Sequence, residues 1–145
     1  MQISSRFTIA VHVLICIETF KKDMKTTSDF LASSVNVNPV VIRRILHQLK
    51  KAGIVEVKRG SGGADLARDP ADITLLDVYT AVESVEEGRL FHFHENPNPQ
   101  CPVGSNIHNI LDDRLKRIQD AMEDQMRSVT IRDVMEDACR IISAP

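Results

Sequence analysis

Residues 36–68, NVNPVVIRRILHQLKKAGIVEVKRGSGGADLAR, decide the fold that the sequence predicts. Asn38 suits a helix N-cap, and Pro39 suits the first helical position because its missing N–H would have no partner there in any case. Gly53 is placed to end the helix in a left-handed conformation. Between these signals, apolar side chains recur at helical spacing and predict one buried face, made of Ile42, Ile45, Leu46 and Leu49.

The segment after this helix predicts a two-stranded hairpin with a glycine-rich tip. A β-branched run at 54–58 is followed by RGSGG at 59–63 and a return segment at 64–68. The tip lacks the lysine and the spacing of a phosphate-binding loop. The outer face of the helix is basic and carries Arg43, Arg44, His47, Lys50 and Lys51. A basic helix followed by a basic hairpin is the layout of a winged helix-turn-helix, whose helix enters a DNA major groove while its wing reaches the backbone or minor groove.

Charge is divided unevenly along the chain. Residues 1–68 carry 11 Lys and Arg against 5 Asp and Glu, a net of +6, whereas residues 69–145 carry 7 against 15, a net of −8. The overall net charge of −2 conceals this polarity. A basic half indicates a polyanionic partner, and double-stranded DNA is the partner that the winged layout predicts.

Several other classes of protein are disfavoured. Three scattered cysteines, Cys16, Cys101 and Cys139, do not form a disulfide framework. The apolar run at 7–20 is interrupted, is shorter than a bilayer span and precedes no cleavage site, so we expect a cytoplasmic protein without a membrane partner. The sequence has neither a catalytic motif nor a cofactor loop, so we expect no enzyme.

Further helices are predicted around the opening stretch. The first, at about 4–21, is apolar on more than one side, so it is either deeply buried or shared with a second subunit. Thr26 is expected to cap a short second helix through a capping box with Asp29. Thr74 is expected to cap a helix that ends near residue 84. A helix from Pro102 and a last one at about 130–142 complete a mainly α fold with a small β-hairpin wing.

With these motifs in place, the sequence resembles the Rrf-two family of bacterial winged-helix transcription regulators. The resemblance rests on MQISSRFTIA at 1–10, LKKAGIV at 49–55, the glycine-rich wing at 59–63 and ITL at 73–75. It covers residues 1–85 well and continues more loosely to about 127. The segment NPVVIRR most resembles the subgroup that lacks iron–sulfur clusters.

A seam in the C-terminal half predicts a homodimer. Leu111, Leu115, Ile118 and Met122 recur at intervals of 4, 3 and 4, the spacing of a coiled-coil seam. The resemblance implies a long dimerisation helix, and a helix folded back on its own domain is the alternative. The predicted units are a winged helix-turn-helix domain at 1–84, a sensor-type loop at 85–101 and a helical dimerisation region at 102–145.

The predicted DNA contacts lie on the first helix, the recognition helix and the wing. Arg43 and Arg44 are candidates for guanine edges or phosphates, and Arg59 is the candidate for the minor groove. Two recognition helices about one DNA turn apart, or a small multiple of it, require a near-palindromic operator. The full predicted set is Ser4, Arg6, Asn38, Val40, Val41, Arg43, Arg44, Lys58 and Arg59.

The signal input is predicted to lie in FHFHENPNPQCPVG at 91–104. Family members with an iron–sulfur cluster have three cysteines in this region, whereas this chain has only Cys101, so we expect no cluster. One alternative is a zinc or copper site built from His92, His94, Cys101 and His108. Another is a thiol switch, with Cys101 at the N-terminus of a helix that begins at Pro102, where free N–H groups favour the thiolate. A third is that Cys101 only caps that helix or packs in the loop.

The sequence therefore predicts a DNA-binding transcription regulator, most simply a homodimeric repressor, with oxidation of Cys101 as one candidate signal. The alternative is a winged-helix module for protein contacts, or a small thiol- or metal-handling protein, without specific DNA binding. Cys16 and Cys139 are predicted to be inert core residues.

Overall fold

The computed structural model of the chain describes residues 3–60, 62–83 and 89–144. Within these ranges, the chain forms six α-helices and one two-stranded antiparallel sheet, which confirms the predicted mainly α fold with a small hairpin wing. The same ranges contain no helix with both the length and the apolar character needed to cross a membrane. The elements are α1 (Ser5–Phe20), α2 (Ser28–Val35), α3 (Pro39–Lys51), β1 (Val55–Val57), β2 (Ala64–Leu66), α4 (Leu75–Val82), α5 (Ile107–Ser128) and α6 (Ile131–Ile142).

An aliphatic core holds α1 to α4 together, and α1 lies at its centre. Helix α1 packs against α2, α3, α4 and α6, which explains why it is apolar on more than one side. The predicted apolar face of α3 is buried. Ile131, at the start of α6, is also fully buried, so α6 packs on this unit. The fully buried side chains include Ala10, Val13, Leu14, Ile17, Leu31, Ile42, Leu49, Val78 and Val82.

Local signals set the ends of α3 as predicted. The Val40 N–H donates to Asn38 Oδ1 at 2.9 Å, and Pro39 occupies the first helical position. At the other end, Gly53 has φ 75°. Its N–H donates to the Lys50 carbonyl and the Ile54 N–H donates to the Leu49 carbonyl, each at 2.9 Å. These two bonds close the helix and turn the chain directly into β1.

The start of α2 differs from the prediction. Thr27 caps the helix, because its Oγ1 accepts the Phe30 N–H at 3.2 Å. The predicted cap, Thr26, is buried and donates its hydroxyl to the Ala64 carbonyl at 2.6 Å. Two adjacent threonines offer the same capping chemistry. A contact with residue 64, far along the chain, decides between them.

Two further predictions about the C-terminal half are wrong. Helix α5 begins at Ile107 and not at Pro102, since residues 102–106 form a turn and a short 3-10 helix. Here the chain folds back on Asn98, whose carbonyl accepts the Cys101 N–H at 3.2 Å. Cys16 is buried as predicted, but Cys139 is exposed, because α6 turns Ile131 rather than Cys139 into the core.

Candidate nucleic-acid interface

The turn between α2 and α3 fixes the recognition helix on the core. Asn36 adopts a left-handed conformation with φ 64°, and its N–H donates to the Ala32 carbonyl at 2.8 Å. The Val37 N–H donates to the same carbonyl at 3.1 Å. The chain therefore reverses within three residues and delivers Asn38 to the start of α3, as a helix-turn-helix requires.

The outward face of α3 is a basic surface. Its five basic side chains are exposed and form no ion pair with a carboxylate in the described residues. Val40 is 45% exposed at the start of the helix, whereas Val41 is half-buried and packs against the core. Of the two predicted valines, Val40 is the one whose side chain is open to a base. The five basic residues are Arg43, Arg44, His47, Lys50 and Lys51.

The wing presents one unpaired arginine. Strand β1 pairs with β2 in the register Val57↔Ala64, and the Lys58 N–H donates to the Gly63 carbonyl at 2.9 Å. Arg59 is exposed and makes no ion pair within the described chain. Lys58 Nζ lies 3.3 Å from Asp65 Oδ2, so this predicted phosphate contact already has a partner.

Ser4 and Arg6, the two predicted DNA contacts at the start of α1, both interact with Glu83. Ser4 Oγ donates to Glu83 Oε1 at 2.6 Å, and the Arg6 guanidinium lies 3.7 Å from Glu83 Oε2. The Ser4 hydroxyl also caps α1 by accepting the Arg6 N–H at 3.2 Å. A phosphate that reached either side chain would compete with Glu83. Sequence reasoning missed this partner, because 79 residues separate it from Ser4 and no local motif marks the pair.

The sensor segment holds Cys101 in a tight turn. The thiol is half-buried, and the backbone N–H groups of Gly104 and Val103 hold its pKa below the ordinary value. These donors are what the thiol-switch prediction needed, although they belong to a turn and not to the first turn of an α-helix. The remaining predicted sensor residues, His92, His94 and His108, are exposed.

The histidines of this segment have other partners. The His108 ring stacks on Phe93 with 4.3 Å between centroids, and its Nδ1 lies 3.1 Å from Asp112 Oδ1. The His94 ring also lies beside Phe93. Residues 3–60, 62–83 and 89–144 contain no group of three or more His, Cys, Asp or Glu side chains that could hold a metal ion. With Cys101 as the one thiol of the segment, the donor set does not fit an iron–sulfur cluster.

The predicted seam of α5 is only partly covered by the described part of the chain. Helix α5 contributes no buried residue, and Ile118 is 54% exposed. Leu111, Leu115 and Met122 are only half-buried. The helix contacts α4, and Gln119 Oε1 accepts the Leu90 N–H at 2.9 Å. Of the four seam residues, Ile118 is therefore the one left exposed.

A basic recognition helix, set on a helix-turn-helix and followed by a wing with an exposed arginine, defines a winged-helix DNA-binding protein. Comparison with known proteins then gives the family. Residues 3–137 match the family model "Rrf2: Iron-dependent Transcriptional regulator". The chain belongs to the Rrf2 family. The predicted class, a DNA-binding transcription regulator, is confirmed.

Individual relatives agree with this assignment. The chain is 50% identical to YwnA of Bacillus subtilis (strain 168), a candidate HTH-type transcriptional regulator, over 92% of this chain and 96% of that protein. A crystal structure of a candidate DNA-binding protein is 44% identical with TM-score 0.71, covering 90% of this chain and 99% of the other. A candidate transcriptional regulator from Lactobacillus plantarum is 28% identical with TM-score 0.74, covering 92% and 89%.

Proposed function

We propose that the protein is a homodimeric repressor that binds a near-palindromic operator through α3 and the wing. The observation that carries this proposal is the set of exposed cations on α3 and at Arg59, which have no carboxylate partners in the described chain. An unpaired cation can release a phosphate counterion without first breaking an ion pair, so these side chains suit a polyanion. The opposite face of α3 is locked in the core, which fixes the direction in which they project.

Each element has a separate role in the proposed complex. Helix α3 enters the major groove, where Arg43 and Arg44 meet guanine edges or flanking phosphates and Val40 meets a thymine methyl group. Asn38 caps the helix and keeps its side-chain N–H₂ for a base edge or backbone oxygen. Arg59 enters the minor groove beside it. Lys58, Ser4 and Arg6 contact phosphates after exchanging Asp65 or Glu83 for the DNA backbone.

The α5 seam supports the homodimer. Apolar side chains at coiled-coil spacing remain partly exposed along the helix, and pairing with a second copy would bury them further. Two copies related by a two-fold axis would present two α3 helices to successive major grooves. The dimer would act on DNA in the cytoplasm as a regulator and not as an enzyme.

We propose that Cys101 supplies the signal, without an iron–sulfur cluster or another bound metal. Its thiolate would attack a peroxide oxygen, so that an S–O bond forms, the O–O bond breaks and hydroxide leaves. The sulfur is oxidised to a sulfenic acid and the peroxide is reduced. The added oxygen would disturb the turn in which the N–H groups of Val103 and Gly104 donate to the sulfur. Because this turn leads into α5, the change would alter the dimer and lower operator affinity.

The test is a fluorescence-anisotropy titration against the intergenic DNA upstream of the protein's own gene, with scrambled competitor. We expect competitor-resistant binding that weakens steeply with salt, and a loss of affinity after peroxide treatment. Cys101→Ser should abolish the peroxide effect, and Cys139→Ser, which removes another accessible thiol, should leave it unchanged.

Each part of the proposal can fail separately. Binding that responds weakly to salt and yields to scrambled competitor would favour the winged-helix module for protein contacts. Specific binding with equal peroxide sensitivity in the Cys101→Ser variant would leave the repressor intact and exclude Cys101 as its sensor.

A further inference from the structure

The wing is anchored to the rest of the molecule through Thr26. Thr26 precedes α2 and is 3% exposed, which makes it a buried polar residue at the edge of the core. Its Oγ1 donates to the Ala64 carbonyl at 2.6 Å, and its carbonyl accepts the Ala64 N–H at 3.0 Å. Thr26, which lies outside the sheet, therefore binds both the N–H and the carbonyl of Ala64, the first residue of β2.

Gly63 makes this close approach feasible. It has φ +78°, and a Cβ at this position would lie 2.9 to 3.1 Å from backbone atoms of Thr26. Any larger residue would push β2 away from Thr26, in addition to the strain of a positive φ. Gly63 also accepts the Lys58 N–H at 2.9 Å, which closes the hairpin. The residue that closes the wing thus lies directly against its anchor.

We propose that Thr26 is a positioning residue for DNA binding, which sets the orientation in which the wing presents Arg59. A two-stranded hairpin of three residues per strand has little stability or fixed direction of its own. The Thr26 hydroxyl and carbonyl act as a third, one-residue strand that holds β2 against the start of the helix-turn-helix. The wing and α3 therefore reach DNA as one rigid surface. This inference rests on the proposed contact between Arg59 and DNA.

A positioning role differs measurably from a purely stabilising one. If Thr26 only stabilised the fold, its substitution would lower the melting temperature and leave the contribution of Arg59 in the folded protein unchanged. If Thr26 positions the wing, its substitution removes the benefit of Arg59 even when the protein is fully folded. The two side chains would then be energetically coupled in DNA binding.

The experiment is a double-mutant cycle on operator affinity in the full-length protein. We expect Arg59→Ala to weaken binding about tenfold in the wild-type background. In the Thr26→Val background, which removes the hydroxyl and keeps the volume, we expect Arg59→Ala to cost about twofold or less. Thr27→Val is the matched control, because it removes the neighbouring hydroxyl that caps α2 without touching the wing. In that background the cost of Arg59→Ala should stay near tenfold.

The outcomes separate this inference from the proposed function. A tenfold cost of Arg59→Ala in both the wild-type and Thr26→Val backgrounds would overturn the positioning role and leave the wing contact standing. No cost in the wild-type background would overturn the wing contact itself, and the positioning role with it. If Thr26→Val does not fold, Gly63→Ala disturbs the same contact from the wing side. Its folded fraction, isolated by gel filtration, must show the same loss of the Arg59 effect.

Discussion

The winged unit, made of α1 to α4 and the β1–β2 hairpin, and helix α5 use their apolar side chains in opposite ways. In the winged unit, the apolar faces of α1, α3 and α4 meet inside one chain, and residues such as Leu14 and Leu49 are fully buried. In α5, the longest helix of the described chain, a comparable stripe meets α4 at one side and buries nothing completely. The first pattern completes a fold, and the second leaves apolar side chains partly exposed in the described chain.

The ion pairing of cationic side chains also differs between α3 in the winged unit and the C-terminal helices α5 and α6. The cations of α3 have no acidic partners in the described chain, whereas several cations of α5 and α6 are paired along their own helix. Pairs such as Lys116–Asp120 join side chains one helical turn apart and neutralise part of the helix surface. Exposed charge on α3 is thus unpaired in the described chain, while part of the exposed charge on α5 and α6 is paired within its own helix.

The largest expected effect is a loss of stability, and it tests whether apolar side chains are buried in the winged unit but not in α5. Leu49→Ala should lower the free energy of unfolding by about 2–5 kcal/mol, because the side chain is fully buried between α3 and its neighbours. Ile118→Ala, an aliphatic truncation on α5, should cost less than about 1 kcal/mol at protein concentrations below dimerisation. Urea denaturation followed by circular dichroism measures both. Equal losses would mean that α5 belongs to the core of its own chain.

The second effect, a change in the dimer dissociation constant, tests whether the apolar seam of α5 forms the dimer interface. Ile118→Asp would place a carboxylate in the proposed dimer interface at a cost of about 3 kcal/mol, which is roughly a hundredfold in the dimer dissociation constant. Lys116→Asp is the control, because it introduces the same side chain on the charged outer face. Sedimentation equilibrium measures the constants. A dimer that tolerates Ile118→Asp as well as Lys116→Asp would place the interface elsewhere.

The third effect tests the charge division. Arg43→Ala or Arg44→Ala should weaken operator binding by about 1–3 kcal/mol, and a residue that contacts a phosphate should also reduce the salt slope by about 1. Lys116→Ala removes a cation from α5 and should leave both quantities unchanged. Anisotropy titrations at several salt concentrations measure them. A similar loss in all three variants would show that binding follows overall charge and not the geometry of α3.

Local chemistry explains which features the sequence could predict. The recognition helix follows from Asn38, Pro39 and Gly53, whose effects act within a few residues, so its limits were predicted correctly. The DNA contacts, the dimer seam and the domain boundaries stay predictions, since they depend on partners or on comparisons that a single chain does not supply.

Two of the features that the sequence did not predict depend on contact between distant residues. Thr26 bonds Ala64 and Ser4 bonds Glu83, over separations of 38 and 79 residues. No local pattern marks either pair. The misplaced start of α5 has a local cause, because Pro102 suits a first helical turn but the chain forms a turn with Asn98 instead.

The smallest effect concerns Cys101, which lies between the two regions. Because the N–H groups of Val103 and Gly104 lower the pKa of its thiol, the thiolate persists to lower pH in the folded protein than in the unfolded chain. The rate of alkylation by iodoacetamide should therefore rise at lower pH in native protein than in urea. A Cys16→Ala, Cys139→Ser background leaves Cys101 as the one reactive thiol.

The expected direction of the shift follows from comparing the pH midpoint of alkylation in native protein with that in urea. Unfolding removes the two donors, so the midpoint of the pH profile must move upward toward the ordinary value for cysteine. Burial alone acts in the opposite direction, since it disfavours the thiolate and would make the native midpoint the higher one. A native midpoint at or above the unfolded one would show that the turn does not stabilise the thiolate. Cys101 would then be a structural residue of the segment before α5, and the signal for the proposed repressor would have to act at another site.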